Sequence, residues 1–275
     1  MHDFEHLHVS TEDQGGLVQL RFDHGKANEM GRAHVTELAR LVDLLEQGTF
    51  QALISSSQRH TRSGTPVFSA GADVRERRDW DESRVLLHVR GQRRTLQRLA
   101  RAPVFHVCVV DGLALGWGTE FTLSADYVIA GPGARFGLPE TGLGIVPGAG
   151  GTAHLASRIG VGQALRMGMT GELVDARQAA EIGLVHERCD SAEDAMDRAL
   201  ALVRRAMGRS PTAVAAYKVA VRAGLGLSSS ERDALEGRAY EHCVATGEAA
   251  HGRQAFEALA RGELVGWGPR KPFED

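Results

Sequence analysis

Between Ala102 and Ala134 the chain runs without a single Lys or Arg, and most of that stretch is apolar. Such a segment is poorly suited to a solvated face, so it is expected to cross the interior of the fold in short pieces. Pro103 opens the strand-like VFHVCVV, glycines break the chain at DGLALGWG, a short apolar helix carries Glu120, and YVIA reads as another strand. A second glutamate, Glu140, follows Pro139 and precedes the uncharged TGLGIVPGAGG. Carboxyl groups in glycine-rich, apolar surroundings predict raised pKa values and general acid–base work. The plain alternative for each is a solvated glutamate with no special role.

Strands and helices alternate around this centre. Residues 16–22 alternate as a half-buried strand, and Val35, Leu38, Leu41, Val42 and Leu45 recur at helical spacing. QALIS reads as a strand, SSQRHTRSGT as a long polar surface loop, and PVFSAGADVRE as a strand running through glycine into a helix start. A helix over 83–100 is expected to turn Val85, Leu86, Val89, Leu96 and Leu99 inward. Strand–turn–helix units thus recur loosely around 16–45, 51–78 and 104–125, which predicts a stacked, coil-like arrangement. Past a glycine-rich loop over 142–151, helices are expected from about residue 153, around 164–168 and over 176–183, with LVHERC as a strand. From about residue 193 the pattern is nearly all helix: Ser210 and Pro211 form an N-cap and first-turn pair for a helix ending at Ala223, followed by helices over 230–244 and 248–261. The reading is an α/β core over 1–192 with a helical C-terminal region over 193–275.

Several function classes fall away. Net charge is −3 and the basic residues are dispersed, which argues against nucleic acid or a polybasic membrane contact. No apolar run is long enough to span a bilayer, and MHDFEHLHVS lacks the apolar centre of a signal peptide. The three cysteines, Cys108, Cys189 and Cys243, are unpaired in spacing and fit reduced thiols in a cytoplasm. His6 with His8, and His186 with Cys189, lack the further ligands of a metal site. A G-x-G-x-x-G frame starting at Gly142 fails at Pro147, no phosphate loop is present, and Ser69 lacks the leading glycine of a nucleophile elbow. Carboxylate chemistry and backbone electrostatics remain.

Two segments put glycine where a strand enters a helix, FSAGADV and ALGWGTE. The first N–H groups of a helix are unpaired, and two such donors converging on one point make an oxyanion hole. With these pieces in hand the chain resembles the crotonase (enoyl-CoA hydratase/isomerase) superfamily, closest to the hydratases. The resemblance rests on FSAGADV, VFHVCVV before DGLALGWGTEFTLSADYVIA, ARFGLPETGLGIVPGAGGTAHL, MTGELVDARQAAEIGLV, SPTAVAAYKVAV and HGRQAFEAL, in the family's order over most of the chain.

The resemblance implies a crotonase-type spiral of ββα units whose helical C-terminal region trimerises, often as a dimer of trimers. It implies an acyl-CoA thioester as substrate, with coenzyme A counted as part of that substrate and no further cofactor or metal. By position, the N–H groups of Ala72 and Trp117 would hold the thioester oxygen, Glu120 and Glu140 would be the acid–base pair, and Gly148 would help to position water. Ala70, Asp73 and Arg75 would meet CoA, as would Phe256. The expected activity is hydration of a 2-enoyl-CoA; isomerisation of a 3-enoyl-CoA, a more specialised hydratase or lyase reaction, and non-catalytic acyl-CoA binding are the alternatives. The chain departs from the family at Trp117, which interrupts a usual run of glycines, and its indole is expected either to wall the acyl pocket or to pack in the core or at a subunit contact. It departs again at Leu259, where hydratases commonly place a lysine that reaches CoA phosphate; Arg75 or Arg261 would have to substitute.

Overall fold

The computed structural model describes residues 4–13 and 16–273; the first three residues of the polar N-terminal stretch lie outside them. β1 (His8–Glu12) pairs antiparallel with β2 (Leu17–Phe22), and α1 (Arg32–Gln47) follows. The chain then repeats one move. β3 (Ala52–Ser57) adds parallel to β2, the chain passes through the short β4 (Arg59–His60) to β5 (Pro66–Ser69), and α2 (Glu82–Arg101) carries it back. β6 (Phe105–Val110) adds parallel to β3, β7 (Leu113–Leu115) adds parallel to β5, and α3 (Trp117–Ser124) follows. β8 (Tyr127–Ala130) and β9 (Arg135–Gly137) extend the two sheets once more, and a 3-10 turn over Glu140–Leu143 takes the place of the helix.

After that turn come α4 (Gly151–Ile159), α5 (Val161–Thr170), β10 (Val174–Asp175), α6 (Ala176–Glu181) and β11 (Glu187–Arg188). A six-stranded sheet in the order β1-β2-β3-β6-β8-β11 and a five-stranded sheet in the order β10-β9-β7-β5-β4 result. Successive turns of the chain extend both sheets, which is the stacked coil expected from the recurring strand–turn–helix pattern and the ββα spiral that the resemblance implies.

The main core fills the space around these turns. Phe22, Phe68, Trp117 and Phe121 are buried together, with Phe22 edge-on to each of the other rings at centroid distances of 5.1–6.3 Å. Such pairs contribute about 0.5–1.5 kcal/mol each beyond their buried area. A second cluster lies on the far face of the six-stranded sheet. There α7 (Ala192–Met207) lays Ala195, Ala199 and Val203 on Leu17, Ile54, Val107 and Ile129.

α8 (Pro211–Ala223) starts as its sequence predicts, with Ser210 accepting a hydrogen bond from the Ala213 N–H and Pro211 in the first turn. It is tied to the sheets by Lys218, whose Nζ donates to Val104 O and to Asp126, both at 2.7 Å, while Arg222 holds the other Asp126 oxygen at 2.9 Å. Burial alone would raise the Asp126 carboxyl, but the two cations outweigh it and hold it below the usual range. α9 (Ser229–Ala245) follows behind a Ser228–Glu231 capping box. The single helix expected over 248–261 is broken into α10 (Glu248–Gln254) and α11 (Phe256–Ala260).

Other local expectations also change. β7 and β9 were not distinguished from the loops around them. On α2, Leu96 and Leu99 are buried as expected, but Leu86 is exposed and the neighbouring inward positions are Gln92 and Thr95.

Candidate active site

The ends of β5 and β7 bring the two glycine-broken junctions together. Gly118 lies so close to β5 that a Cβ there would sit 2.7 Å from Ser69 O, and a Cβ on Gly71 would sit 2.9 Å from Leu115 O and 3.6 Å from the Trp117 nitrogen. Only glycine tolerates that approach, and Gly71 also has φ +100°. Ala72 bridges to Met30 in parallel, using Met30 N–H to Gly71 O (2.9 Å) and Asp73 N–H to Met30 O (3.1 Å). In that pattern the intervening Ala72 N–H points to the opposite side. Trp117 is the first residue of α3, where an N–H has no intrahelical acceptor. The two junctions that carry the Ala72 and Trp117 N–H groups are thus packed against each other at Gly71 and Leu115.

The Trp117 indole lies in the core. Trp117 is buried in the aromatic cluster, 5.3 Å from the Phe121 ring, so of the two sequence-based expectations the core position holds. The ring thus anchors the start of α3 while its own N–H stays at the junction. Thr119 pins the same turn from within, its Oγ1 donating to Ala114 O at 2.7 Å and Gly137 O at 3.0 Å.

Glu120, one turn into α3, is 4% exposed. Its Oε1 accepts hydrogen bonds from Ala149 N (2.7 Å) and Gly151 N (2.9 Å), so the loop before α4 wraps around the carboxylate. Burial raises its pKa, and these backbone donors together with Arg93 pull partly the other way. Gly148 opens this loop. A Cβ there would meet Val89 Cγ1 at 2.8 Å, and its carbonyl accepts from Arg93 Nε at 2.7 Å, so α2 packs directly against the loop that holds Glu120.

Glu140 begins the 3-10 turn after β9 and reaches back to the first junction. Its Oε1 lies 2.6 Å from where a Cβ on Gly116 would be, and Gly116 has φ +50°, a conformation that suits glycine. Glu140 Oε2 is buried without a hydrogen-bond partner among the described residues. Burial, reinforced by the Glu120 charge, pushes the Glu140 carboxyl up to about 7. The Glu120 anion is supported by the Ala149 and Gly151 N–H groups, the Glu140 anion only by its own backbone N–H. That difference lets one side chain take a proton and the other give one near neutral pH.

The remaining residues singled out in the sequence fall around this centre or away from it. Asp73 Oδ1 accepts from the backbone N–H groups of Arg75 and Glu76 and so shapes the turn after Ala72, while Ala70 N donates to Ala27 O at 2.8 Å. Arg75 is exposed. Phe256 is not brought to the site: it lies on α11, 69% exposed, and the principal neighbour of α11 is α10. Among the described residues no group of three or more His, Cys, Asp or Glu is arranged to hold a metal ion.

The sequence reading missed Arg77, His88, Gln92 and Arg93 on the α2 side of the site. Gln92 follows His88 at i+4, a spacing that puts both on one face, and this was the available signal.

Set beside known proteins, residues 12–260 match the family model described as enoyl-CoA hydratase/isomerase. The mitochondrial enoyl-CoA hydratase domain-containing protein 2 of Mus musculus is 33% identical over 261 residues, covering 93% of this chain and 86% of its own length. Mitochondrial methylglutaconyl-CoA hydratase of Homo sapiens is 31% identical over 255 residues, covering 91% and 74% respectively. The crystal structure of an enoyl-CoA hydratase from Bacillus anthracis has a TM-score of 0.87 to this fold at 29% identity, over 96% of this chain and 99% of that one.

Proposed function

The chain belongs to the enoyl-CoA hydratase/isomerase family of the crotonase superfamily, and from that premise we propose that it adds water across the 2,3 double bond of a 2-enoyl-CoA. The thioester oxygen sits between the N–H groups of Ala72 and Trp117. Negative charge that builds there as water attacks C3 is stabilised by the two donors, each worth about 3–4 kcal/mol in sites of this type. Glu120 is the base that takes the proton from water, with Gly148 at the edge of the loop that positions the attacking molecule. Glu140 supplies the proton that C2 receives. One water is added, its oxygen to C3 and one proton to C2, and the proton left on Glu120 returns to Glu140 through solvent before the next turnover.

The observation that carries this reading is the unequal environment of the two carboxyl groups beside one pair of backbone donors. Ala70, Asp73 and Arg75 meet the adenine end of CoA, and Phe256 joins them from the C-terminal helices of a neighbouring copy. Exposed Tyr217, Tyr240 and Phe256 on those helices, with Leu225 in the turn after α8, support a homotrimer or dimer of trimers. Free thiols at Cys108, Cys189 and Cys243 suit a reducing cytoplasm; among the described residues no helix is long and apolar enough to cross a membrane.

Following the conjugated thioester absorbance of crotonyl-CoA tests the assignment. Hydration bleaches the band, and both Glu120→Gln and Glu140→Gln are expected to abolish that loss. A gain of absorbance from a 3-enoyl-CoA that survives Glu120→Gln would make the chain an isomerase relying on Glu140. CoA-thioester binding with neither change would point to a more specialised reaction or to a binding protein.

A further inference from the structure

α2 carries an unusual polar group on the face it turns to the site. Gln92 is buried, at 3% exposure, and its amide nitrogen has no hydrogen-bond partner among the described residues. Its amide oxygen accepts from Arg77 Nη2 at 3.1 Å, while Arg77 Nε is itself buried and without a partner. His88, one turn before Gln92, has a buried Nε2 that is also unpartnered and packs edge-on against Trp80 at 5.2 Å. Burial, followed by the Arg77 charge, lowers the His88 pKa, so the imidazole is neutral near pH 7. Unpaired buried polar atoms of this kind each cost about 1–3 kcal/mol, and three of them meet here.

The carboxylates nearest Arg77 are committed elsewhere. Asp73 caps the backbone of the Asp73–Glu76 turn, Glu76 Oε2 accepts from Arg32 N at 2.8 Å, and Glu120 accepts from Ala149 and Gly151. The guanidinium is half-buried, and its Nε has no partner among the described residues. The cluster adjoins the loop that holds Glu120: a Cβ on Gly148 would meet Val89 Cγ1 at 2.8 Å, and Arg93, next to Gln92, donates to the Gly148 carbonyl. The same side of α2 faces Glu120, whose charge acts on Arg77 and which in turn feels Arg93, so on the proposed reading an acyl chain that passes Glu120 runs toward it.

We propose that Arg77, Gln92 and His88 form a subsite for a carboxylate at the distal end of the acyl chain, so that the preferred substrate is a short dicarboxylic acid carried as its mono-CoA thioester. This inference rests on the proposed acyl-CoA reading. The Arg77 fork and the Gln92 amide donate to the two carboxylate oxygens, and His88 supplies a further N–H. Charge-assisted pairing of this geometry selects for the anion over a neutral chain end by about 10- to 100-fold.

Equilibrium binding of two unreactive saturated thioesters, glutaryl-CoA and hexanoyl-CoA, separates the subsite from catalysis. Wild type is expected to bind glutaryl-CoA about 10-fold or more tightly than hexanoyl-CoA. Arg77→Met is expected to erase or invert that preference while leaving hexanoyl-CoA affinity within about threefold, and Arg77→Lys to restore part of it. Gln92→Leu, a change at a separate position, is expected to reduce the preference in the same direction, and it carries the test if Arg77→Met fails to fold. Equal affinities in wild type, a preference that survives both substitutions, or equal weakening of both thioesters would overturn the subsite. Selective binding without hydration of glutaconyl-CoA or crotonyl-CoA would instead refute the hydratase reading and leave the subsite standing.

Discussion

Replacing Gly116 by Ala probes the site through a single methyl group. Gly116 sits at φ +50° and ψ −116°, and a Cβ there would lie 2.6 Å from Glu140 Oε1 and 3.4 Å from Glu140 Cδ. Carbon and oxygen do not approach so closely, so the carboxylate has to retreat by about 1 Å, a displacement that can cost a reaction about 10²-fold. The backbone adds its own penalty, about 1–3 kcal/mol for a side chain held in a region that glycine alone favours. That corresponds to a fall in thermal midpoint of roughly 2–4 °C per kcal/mol for a chain of this size. Gly160→Ala is the control: its φ is +79° and nothing lies within 4 Å of the added Cβ, so it carries strain without moving a site residue. Crotonyl-CoA hydration and thermal unfolding would be measured on both variants. Both are expected to melt earlier, with kcat lowered about 100-fold for Gly116→Ala and nearly unchanged for Gly160→Ala. A Gly116→Ala enzyme that melts earlier but keeps kcat within about threefold of wild type would show that the Glu140 carboxylate is not poised on the substrate.

Three further outcomes follow from the same geometry. Glu120→Gln keeps an oxygen for the Ala149 and Gly151 N–H groups and is expected to fold normally with hydration reduced at least about 100-fold. Glu120→Ala leaves both donors unpaired and is expected to lose in addition about 1–3 kcal/mol per donor in urea unfolding. The Glu140 carboxyl is raised to about 7, so the proton-donating form is present below that pH and lost above it. Hydration kcat/KM, measured from pH 5.5 to 9, is expected to fall as pH rises through about 7, and a profile flat across that range would refute Glu140 as the proton donor. The same raised pKa contributes stability that is complete below the unfolded value of about 4.3 and lost as pH rises through 7. Lys218→Met removes one cation from Asp126 and the donor to Val104 O, and urea unfolding is expected to show a loss of about 3–5 kcal/mol with kcat retained in the folded fraction.

Much of the spiral was legible because its segments are strongly patterned. VFHVCVV and YVIA became β6 and β8, the apolar spacing of Val35 to Leu45 became the buried face of α1, and Ser210-Pro211 opened α8 as written. β7 and β9 escaped because three residues are too few to show alternation, and their strand character comes from pairing with each other and with β5. The break at Ala255 between α10 and α11 carries no proline or glycine at that position, so nothing local announced it. Leu86 was assigned inward because it is apolar, yet it is exposed while polar Gln92 is buried. Charge and hydropathy cannot identify a helix face whose neighbours include a polar site. The cluster of Arg77 with Gln92 was hidden for the same reason, since RERR reads as a solvated run.

The two glutamates show where sequence stops and structure begins. Their apolar, glycine-rich surroundings along the chain marked both as candidates, but described them as alike. What separates them is backbone from elsewhere: the loop at Ala149 to Gly151 folds onto Glu120 and stabilises its anion, whereas Glu140 is pressed against a glycine that offers no side chain and leaves Oε2 without a donor. The helix start at Trp117 links the two, because the turn that exposes its N–H also fixes Glu120 on α3 and leaves Gly116 open to Glu140. The proposed acid, base and oxyanion donor are therefore not independent positions on a scaffold. A change that shifts the Gly116–Trp117 turn should disturb all of them together, so substitutions at Gly116 and Glu140 are expected to combine far less than additively in kcat.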